Sequence, residues 1–423
     1  MIEKVSPSVP SELEGEGAPF ASDDFLIDAS FAVPYRHRVW FCENVFESSQ
    51  DILSSCFVDR DDEAETDDGG AGVQATSKVQ IWVDSAVSET KTGFVDSLVN
   101  WIGAESGLEL TRPAEVISGG EACKNDPSVV QNLLAAINED QLDRRSYIVV
   151  VGGGAVLDVV GFAAAVAHRG IRLIRFPSTT LAQADSGVGV KNAVNEFDKK
   201  NWKGAFAVPW AVVNDYSLLE SLPEPTFVSG FSEAVKVALL KSSSSFEFLC
   251  ENAERIRARE KRVAWQAIQE SAAHHLRHIA DGGDPFEVME ARPLDFGHWS
   301  AHKIEAISGY SVSHGDAVSI GLAVDVLYSV AQLGLDRKSA DRVIDCLGRL
   351  GLPVWDPILD SHRTELLMGL EEFRQHLGGQ LTVTMLADIG KPVNVHAIDH
   401  QAIVAAIEEL RKLSDNVARF SEP

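Results

Sequence analysis

Apolar residues change their spacing partway along the chain, and that change predicts the architecture. Residues 79–84 (VQIWVD), 146–154 (SYIVVVGGG), 171–180 (IRLIRFPSTT) and 211–215 (AVVND) are short runs rich in β-branched residues. The second stops at three glycines, and each run predicts a buried strand. Residues 35–46 (YRHRVWFCENVF) alternate aromatic or β-branched positions with polar ones and predict an earlier strand. A helical stretch runs to about residue 107. Strands alternating with helices imply a mostly parallel sheet, whose ligands bind beyond the carboxyl ends of its strands. Asp84, Gly152 to Gly154 and Ser178 to Thr180 fall at those ends.

After Pro223 and Pro225 the spacing becomes helical, through residues 227–249, 263–280, 298–307, 317–333 and 340–350. One late alternating run, residues 380–390, predicts a strand, and residues 399–413 predict a closing helix. The expected organisation is an α/β domain over residues 31–225 and a helical domain over 226–423. Residues 1–30, rich in Ser, Pro, Glu and Gly, read as a flexible tail, and residues 59–72 (DRDDEAETDDGGAG) as a solvated acidic loop. Neither segment has enough apolar surface to offset the entropy of ordering it.

Charge narrows the function classes. With 37 Lys+Arg against 63 Asp+Glu the net charge is −26, which argues against a surface built to grip nucleic acid or an anionic membrane. No run approaches the roughly 18 uninterrupted apolar residues of a membrane span. The first 20 residues carry acids, prolines and glycines in place of a signal peptide's apolar stretch, so a cytoplasmic location is expected. Five widely spaced cysteines without a CxxC pair predict reduced, mostly buried thiols.

Three constellations carry candidate chemistry. Gly152, Gly153, Gly154 and Asp158 follow a strand directly, and glycines there let backbone amides approach a pyrophosphate at a helix start. Glu121 and Lys124 could complete a nucleotide site through ribose hydroxyls and charge. Next, residues 176–206, read as a loop, gather Asp185, Lys191, Lys200 and Asn201 among small residues, which suits a phosphorylated substrate. Finally, Glu233 stands three residues before Lys236, His298 four before His302, and His314 precedes another helix. One carboxylate and two imidazoles leave open positions on a catalytic Zn²⁺. By spacing alone His274, His275 and His278 compete as ligands.

Taken in order, GGGxxxD (152–158), PSTTLAQADSGVGVKNAVN (177–195), SGFSEAVK (229–236), DFGHWSAH (295–302) and HGDAVSIG (314–321) resemble the sugar phosphate cyclase superfamily, whose best known member is 3-dehydroquinate synthase. The resemblance spans residues 79–392. It implies an N-terminal Rossmann-like NAD-binding domain, a C-terminal all-helical metal-binding domain and a homodimer. It further implies that Glu233, His298 and His314 bind Zn²⁺ or Co²⁺, and that Asp84, Glu121, Lys124, Gly153, Gly154, Asp158, Thr179 and Thr180 hold NAD. Asp185, Lys191 and Lys200 would lie close to the nicotinamide and substrate. Asn201, Lys236 and His302 would line the substrate pocket, and Arg169 would reach the neighbouring subunit's phosphate site. The implied chemistry is transient oxidation by NAD, phosphate elimination, reduction and intramolecular aldol closure, with no net redox.

Departures bear on the substrate. The 3-dehydroquinate synthases carry a stretch resembling RxLLNLGH, which with an earlier lysine holds a carboxylate; here it reads ARPLDFGH. Asp295 replaces the asparagine, Arg292 is displaced by one position, and the earlier lysine gives way to the region of Arg277 and His278. A basic segment near the C-terminus becomes FRQHLGG, with Arg374 and His376. An acid beside a carboxylate costs on the order of a few kcal/mol at an effective dielectric of about 20. The chain therefore looks more like the branch that cyclises sedoheptulose 7-phosphate, which lacks the carboxylate. Because His302 stands where the 2-epi-5-epi-valiolone synthases commonly have proline, it is most similar to 2-epi-valiolone synthase. The alternatives are 3-dehydroquinate synthase activity on 3-deoxy-arabino-heptulosonate 7-phosphate and a metal-dependent alcohol dehydrogenase of the glycerol dehydrogenase type, which would accumulate NADH.

Overall fold

The computed structural model describes residues 29–57, 76–197, 199–287, 294–376 and 380–421. Most of the expected tail, the acidic loop 59–72 and Arg292 lie outside them. The chain divides into two units, Met1–Tyr35 and Arg36–Pro423, and the elements below belong to the second.

Seven strands among the described residues form one parallel sheet in the order β1 (Val39–Cys42), β9 (Ala211–Asp215), β6 (Arg172–Pro177), β5 (Tyr147–Gly152), β2 (Ser77–Asp84), β3 (Leu108–Leu110), with β4 (Glu115–Ile117) also on β2. Every residue of β5 and β9 is buried, as strands covered on both faces require. Alternation then sorts the side chains. Ile148 and Val150 pack under α1 (Gly154–Val166), whereas Val149, Val151 and Ile174 meet Leu98 and Ile102 on the other face. The expected strand over residues 35–46 is shorter in the structure. Asn44 turns left-handed at φ 58°, and the Asp215 carboxylate accepts the N–H groups of Asn44 and Val45 at 2.9 and 2.7 Å, so the chain leaves the sheet there.

Asp140 ties three parts of this half together. Its carboxylate accepts Arg112 Nε at 2.6 Å, Thr111 Oγ1 at 2.6 Å and Gln80 Nε2 at 2.7 Å. The Arg112 guanidinium foremost, followed by opposition from burial and then the Thr111 and Gln80 bonds, leaves the carboxyl well below its ordinary 3.8. The stabilisation is complete above 3.8 and fades as pH falls toward the depressed folded value. Asp140→Asn should lower unfolding free energy by about 2 kcal/mol at neutral pH. An unchanged urea midpoint would exclude that role.

Beyond Pro223 the chain is mainly helical: α2 (Phe231–Lys241), α3 (Ser243–Arg257), α4 (Lys261–Asp281), α5 (His298–Ile307), α6 (His314–Leu333) and α7 (Arg337–Leu350) share one core. The helix expected over 227–249 is three helices, broken at Gly230 and Ser242, where the Ser242 hydroxyl caps α3. Helix α6 is long and apolar enough to cross a membrane, but 72% of its apolar window is buried inside the protein. The late strand pairs as a hairpin, β10 (Val383–Asp388) with β11 (Lys391–Val395), and a final helix covers His400–Ser421. All five cysteines are free and buried.

One expectation fails in kind. Residues 191–206 read as a loop, yet β7 (Lys191–Glu196) and β8 (Lys199–Phe206) form an antiparallel hairpin. Its outer strand is almost wholly exposed, so the apolar alternation that marks a strand is missing.

Candidate active site

Strands β2, β5 and β6 end at Asp84, Gly152 and Pro177, and beyond them opens a cleft of about 800 Å³. The turn into α1 is tight. A Cβ on Gly154 would stand 2.8 Å from Ser186 Oγ, and one on Gly153 3.2 Å from Thr179 Cγ2. The helix start has no side-chain cap, and Gly153, Gly154 and Ala155 line the cleft. Uncapped amides in a cradle that a Cβ would fill fit a dinucleotide pyrophosphate. Asp84 accepts Ala86 N–H at 3.0 Å and lies 3.4 Å from Gly153 N. Thr179 and Glu121 line the same end, whereas Thr180 is fully buried outside the lining.

Lys124 joins this end to the hairpin. Its ammonium donates to Asp158 at 2.6 Å and to Asn201 Oδ1, while Asn195 links Glu121 to the Asn201 backbone. Burial opposes the charge of Lys124, but Asp158 and Glu121 outweigh it and raise the pKa. Asn201 itself has φ 55°, the left-handed backbone that Asn tolerates best after Gly.

At the helical end, Glu233 on α2 meets His298 and His314, which open α5 and α6. Glu233 Oε1 lies 3.4 Å from His298 Nε2 and 3.2 Å from His314 Nε2. Donors around one tetrahedral ion at about 2.0–2.2 Å stand roughly 3.2–3.6 Å apart, so the set fits a divalent metal. The rings are correctly turned: His298 Nδ1 faces the Phe296 carbonyl at 3.1 Å and His314 Nδ1 the Glu305 carboxylate at 2.9 Å, leaving each Nε2 toward Glu233. Burial lowers the pKa of His314, yet Glu305 and Glu233 raise it to about 9, so the pocket attracts positive charge.

Close backbone approach makes this arrangement possible. Gly297 sits at φ 78° just before α5, and a Cβ on Gly321 of α6 would fall 2.0 Å from its carbonyl oxygen. The glycines of DFGH and SIG thus let the two helices carrying the imidazoles touch.

Lys236, one turn beyond Glu233, is buried and forms an ion pair with Glu233 Oε2 at 2.5 Å. Asp185 pairs with His275 at 2.7 Å. Burial pushes the Asp185 carboxyl up, but Lys236 and His275 hold it below the ordinary value. Lys191, Lys200, Asn201, Asp295 and His302 also line the cleft, and the His302 ring is 5.4 Å from that of His298. Lys200 is drawn to Glu305 at 2.6 Å. Arg169 is exposed outside the lining. Arg374 pairs with Glu371, and the His376 side chain is outside the described set.

Of the three competing histidines, His275 meets Asp185, His274 bonds Ser245 Oγ at 3.0 Å, and His278 lines the cleft. None joins the clusters that could hold a metal, which among the described residues are Glu233, His298, His314 and His302, Glu305, His314. Sequence reasoning missed Glu305. Its position, three after His302 and seven after His298, was the available signal, because it puts all three on one helix face.

Residues 114–229 match the family model for the 3-dehydroquinate synthase N-terminal region, and residues 230–372 the one for its C-terminal region. The chain belongs to the 3-dehydroquinate synthase family. This family member is 34% identical over 275 residues to 3-dehydroquinate synthase of Halorhodospira halophila, a stretch covering 65% of this chain and 77% of that one. It is 33% identical over 298 residues to 2-epi-valiolone synthase of Actinosynnema mirum, covering 70% and 77%. Its fold matches ValA, a 2-epi-5-epi-valiolone synthase from Streptomyces hygroscopicus solved with NAD⁺ and Zn²⁺, with TM-score 0.77 and 22% identity over 92% of this chain and 99% of that one. The protein is a sugar phosphate cyclase of the 3-dehydroquinate synthase family.

Proposed function

We propose that the protein converts sedoheptulose 7-phosphate to a valiolone-type cyclitol of the 2-epi-valiolone kind, with release of phosphate. The observation that carries this reading is the charge of the cleft. Its described lining includes Lys124, Lys191, Lys200 and Lys236 but no arginine, and Asp295 stands in the stretch where the carboxylate-binding relatives have asparagine. Lysine ammonium groups suit a phosphate as point charges, whereas a planar carboxylate is best held by arginine.

NAD⁺ and a divalent Zn²⁺ or Co²⁺, when bound, supply a reversible hydride acceptor and a Lewis acid. Glu233, His298 and His314 would hold the metal, and imidazole and carboxylate donors accept either ion. Asp84, Glu121, Lys124, Gly153, Gly154, Asp158 and Thr179 would hold the dinucleotide, while Thr180 is buried outside the lining. Lys236, held charged between Glu233 and Asp185, orients substrate oxygens and balances negative charge. Asp185 with His275 offers a half-buried carboxylate and imidazole 2.7 Å apart, which can hold a proton taken from a substrate hydroxyl. Lys191, Lys200, Asn201, Asp295 and His302 would line the sugar and phosphate subsites.

We take the domain boundary near residue 225 and the working form as a homodimer. The exposed position of Arg169, away from its own cleft, supports its reaching the partner's phosphate site.

The test is phosphate release by the purified protein with NAD⁺ and Zn²⁺ or Co²⁺, given sedoheptulose 7-phosphate or 3-deoxy-arabino-heptulosonate 7-phosphate. Sedoheptulose 7-phosphate should be preferred on the order of 10²–10³-fold in kcat/KM, because a repulsion of a few kcal/mol translates at about 1.4 kcal/mol per tenfold. Turnover of the carboxylated substrate alone would make the protein a 3-dehydroquinate synthase, a reading favoured by the equally close Halorhodospira relative. Accumulated NADH without phosphate release would exclude both.

A further inference from the structure

Helix α6 is apolar and buried along most of its length, yet it carries a carboxylate, Asp325, in the middle of the core. Asp325 has no exposed surface, and its carboxylate accepts hydrogen bonds from two neutral donors. Its Oδ2 accepts the backbone N–H of Gly297 at 2.9 Å, and its Oδ1 accepts the indole N–H of Trp299 at 2.8 Å. Those two residues flank His298 directly.

A carboxylate buried on neutral donors costs free energy relative to an apolar side chain, so its place calls for a geometric role. The geometry supplies one. Gly297, at φ 78°, is the turn that starts α5, and no side chain within α5 caps that start. Asp325 fixes the amide before His298 and the ring after it. The His298 imidazole is in turn oriented by the Phe296 carbonyl, one residue before Gly297. Since α6 also begins at His314, one side chain locks the segments that present both imidazoles to Glu233 into one body.

We infer that Asp325 is a positioning residue for the metal centre, acting through Gly297 and Trp299 to hold His298 Nε2 toward Glu233. This rests on the metal reading of Glu233, His298 and His314. Asp325→Asn keeps the shape but supplies only one acceptor oxygen, so either the Gly297 amide or the indole loses its partner. Trp299→Phe removes the indole bond and leaves the other intact.

The experiment is titration of the metal-free full-length protein with Co²⁺, followed by visible ligand-field absorption, with far-ultraviolet circular dichroism as a check on folding. Asp325→Asn should weaken Co²⁺ binding about 10- to 100-fold, the usual effect of losing an outer partner of a metal-binding histidine. It should also alter the absorption bands, which a loss of stability alone would not do. Trp299→Phe should shift both in the same direction by less. A wild-type protein that binds Co²⁺ with both variants matching it in affinity and spectrum would overturn the inference and leave the metal reading standing. No Co²⁺ bands in the wild type would overturn both. Should Asp325→Asn fail to fold, an unchanged Trp299→Phe spectrum and affinity would suffice to overturn it.

Discussion

Replacing His298 with alanine is expected to lower phosphate release by about 10³-fold or more, because Lewis-acid stabilisation contributes several kcal/mol at about 1.4 kcal/mol per tenfold. His298 is one of three donors converging on one point, with Glu233 Oε1 3.4 Å from its Nε2 and 3.2 Å from His314 Nε2. Two donors cannot hold an ion as three do, and alanine offers no replacement atom. The same variant should lose the Co²⁺ absorption bands while keeping its fold, since a buried imidazole at a helix start contributes little to the apolar core. Metal-dependent turnover at the wild-type rate in this variant would remove the metal assignment.

Replacing Lys236 with methionine is expected to cost about 3–5 kcal/mol of unfolding free energy in the metal-free protein, the usual effect of breaking a buried ion pair on one side. The ammonium sits at 2.5 Å from Glu233 Oε2 with both side chains almost wholly buried. Burial opposes the charge of Lys236, but Asp185 and Glu233 raise its pKa well above the ordinary lysine value. Its stabilisation is therefore present throughout the neutral range and is lost only as pH rises through that raised value. Methionine fills the stem's volume and leaves two carboxylates without their cation. Added Co²⁺ should recover part of the loss, because a cation that binds only the folded state stabilises it by mass action. An unchanged urea midpoint in Lys236→Met would sink this account.

The parts of the fold that were legible in the sequence are those set by near neighbours. The runs 79–84, 146–154 and 171–180 are apolar because both faces of a parallel sheet are covered, and the structure puts β2, β5 and β6 on them, with β5 and β6 ending earlier, at Gly152 and Pro177. Helix α5 spans the expected residues 298–307. The β7–β8 hairpin was illegible because its outer strand faces solvent and carries lysines, with no alternation to read. Asp325 was illegible for a related reason: an isolated acid on an apolar helix looks like any solvated residue until Gly297 and Trp299 are seen against it.

By itself, the sequence determined the alternation of strands and helices, the switch to helices after Pro225, the glycine turn before α1 and the ordered motifs that mark the family. Each of these follows from local periodicity, backbone sterics or residue order, all written in one dimension. Only the tertiary structure decided which histidine meets Asp185, that Lys200 reaches Glu305, and that Asp325 stands behind His298. Those pairings join residues far apart in the chain, and spacing cannot choose among equivalent side chains there. Packing chooses them, because each buried charge must find a partner in the folded interior.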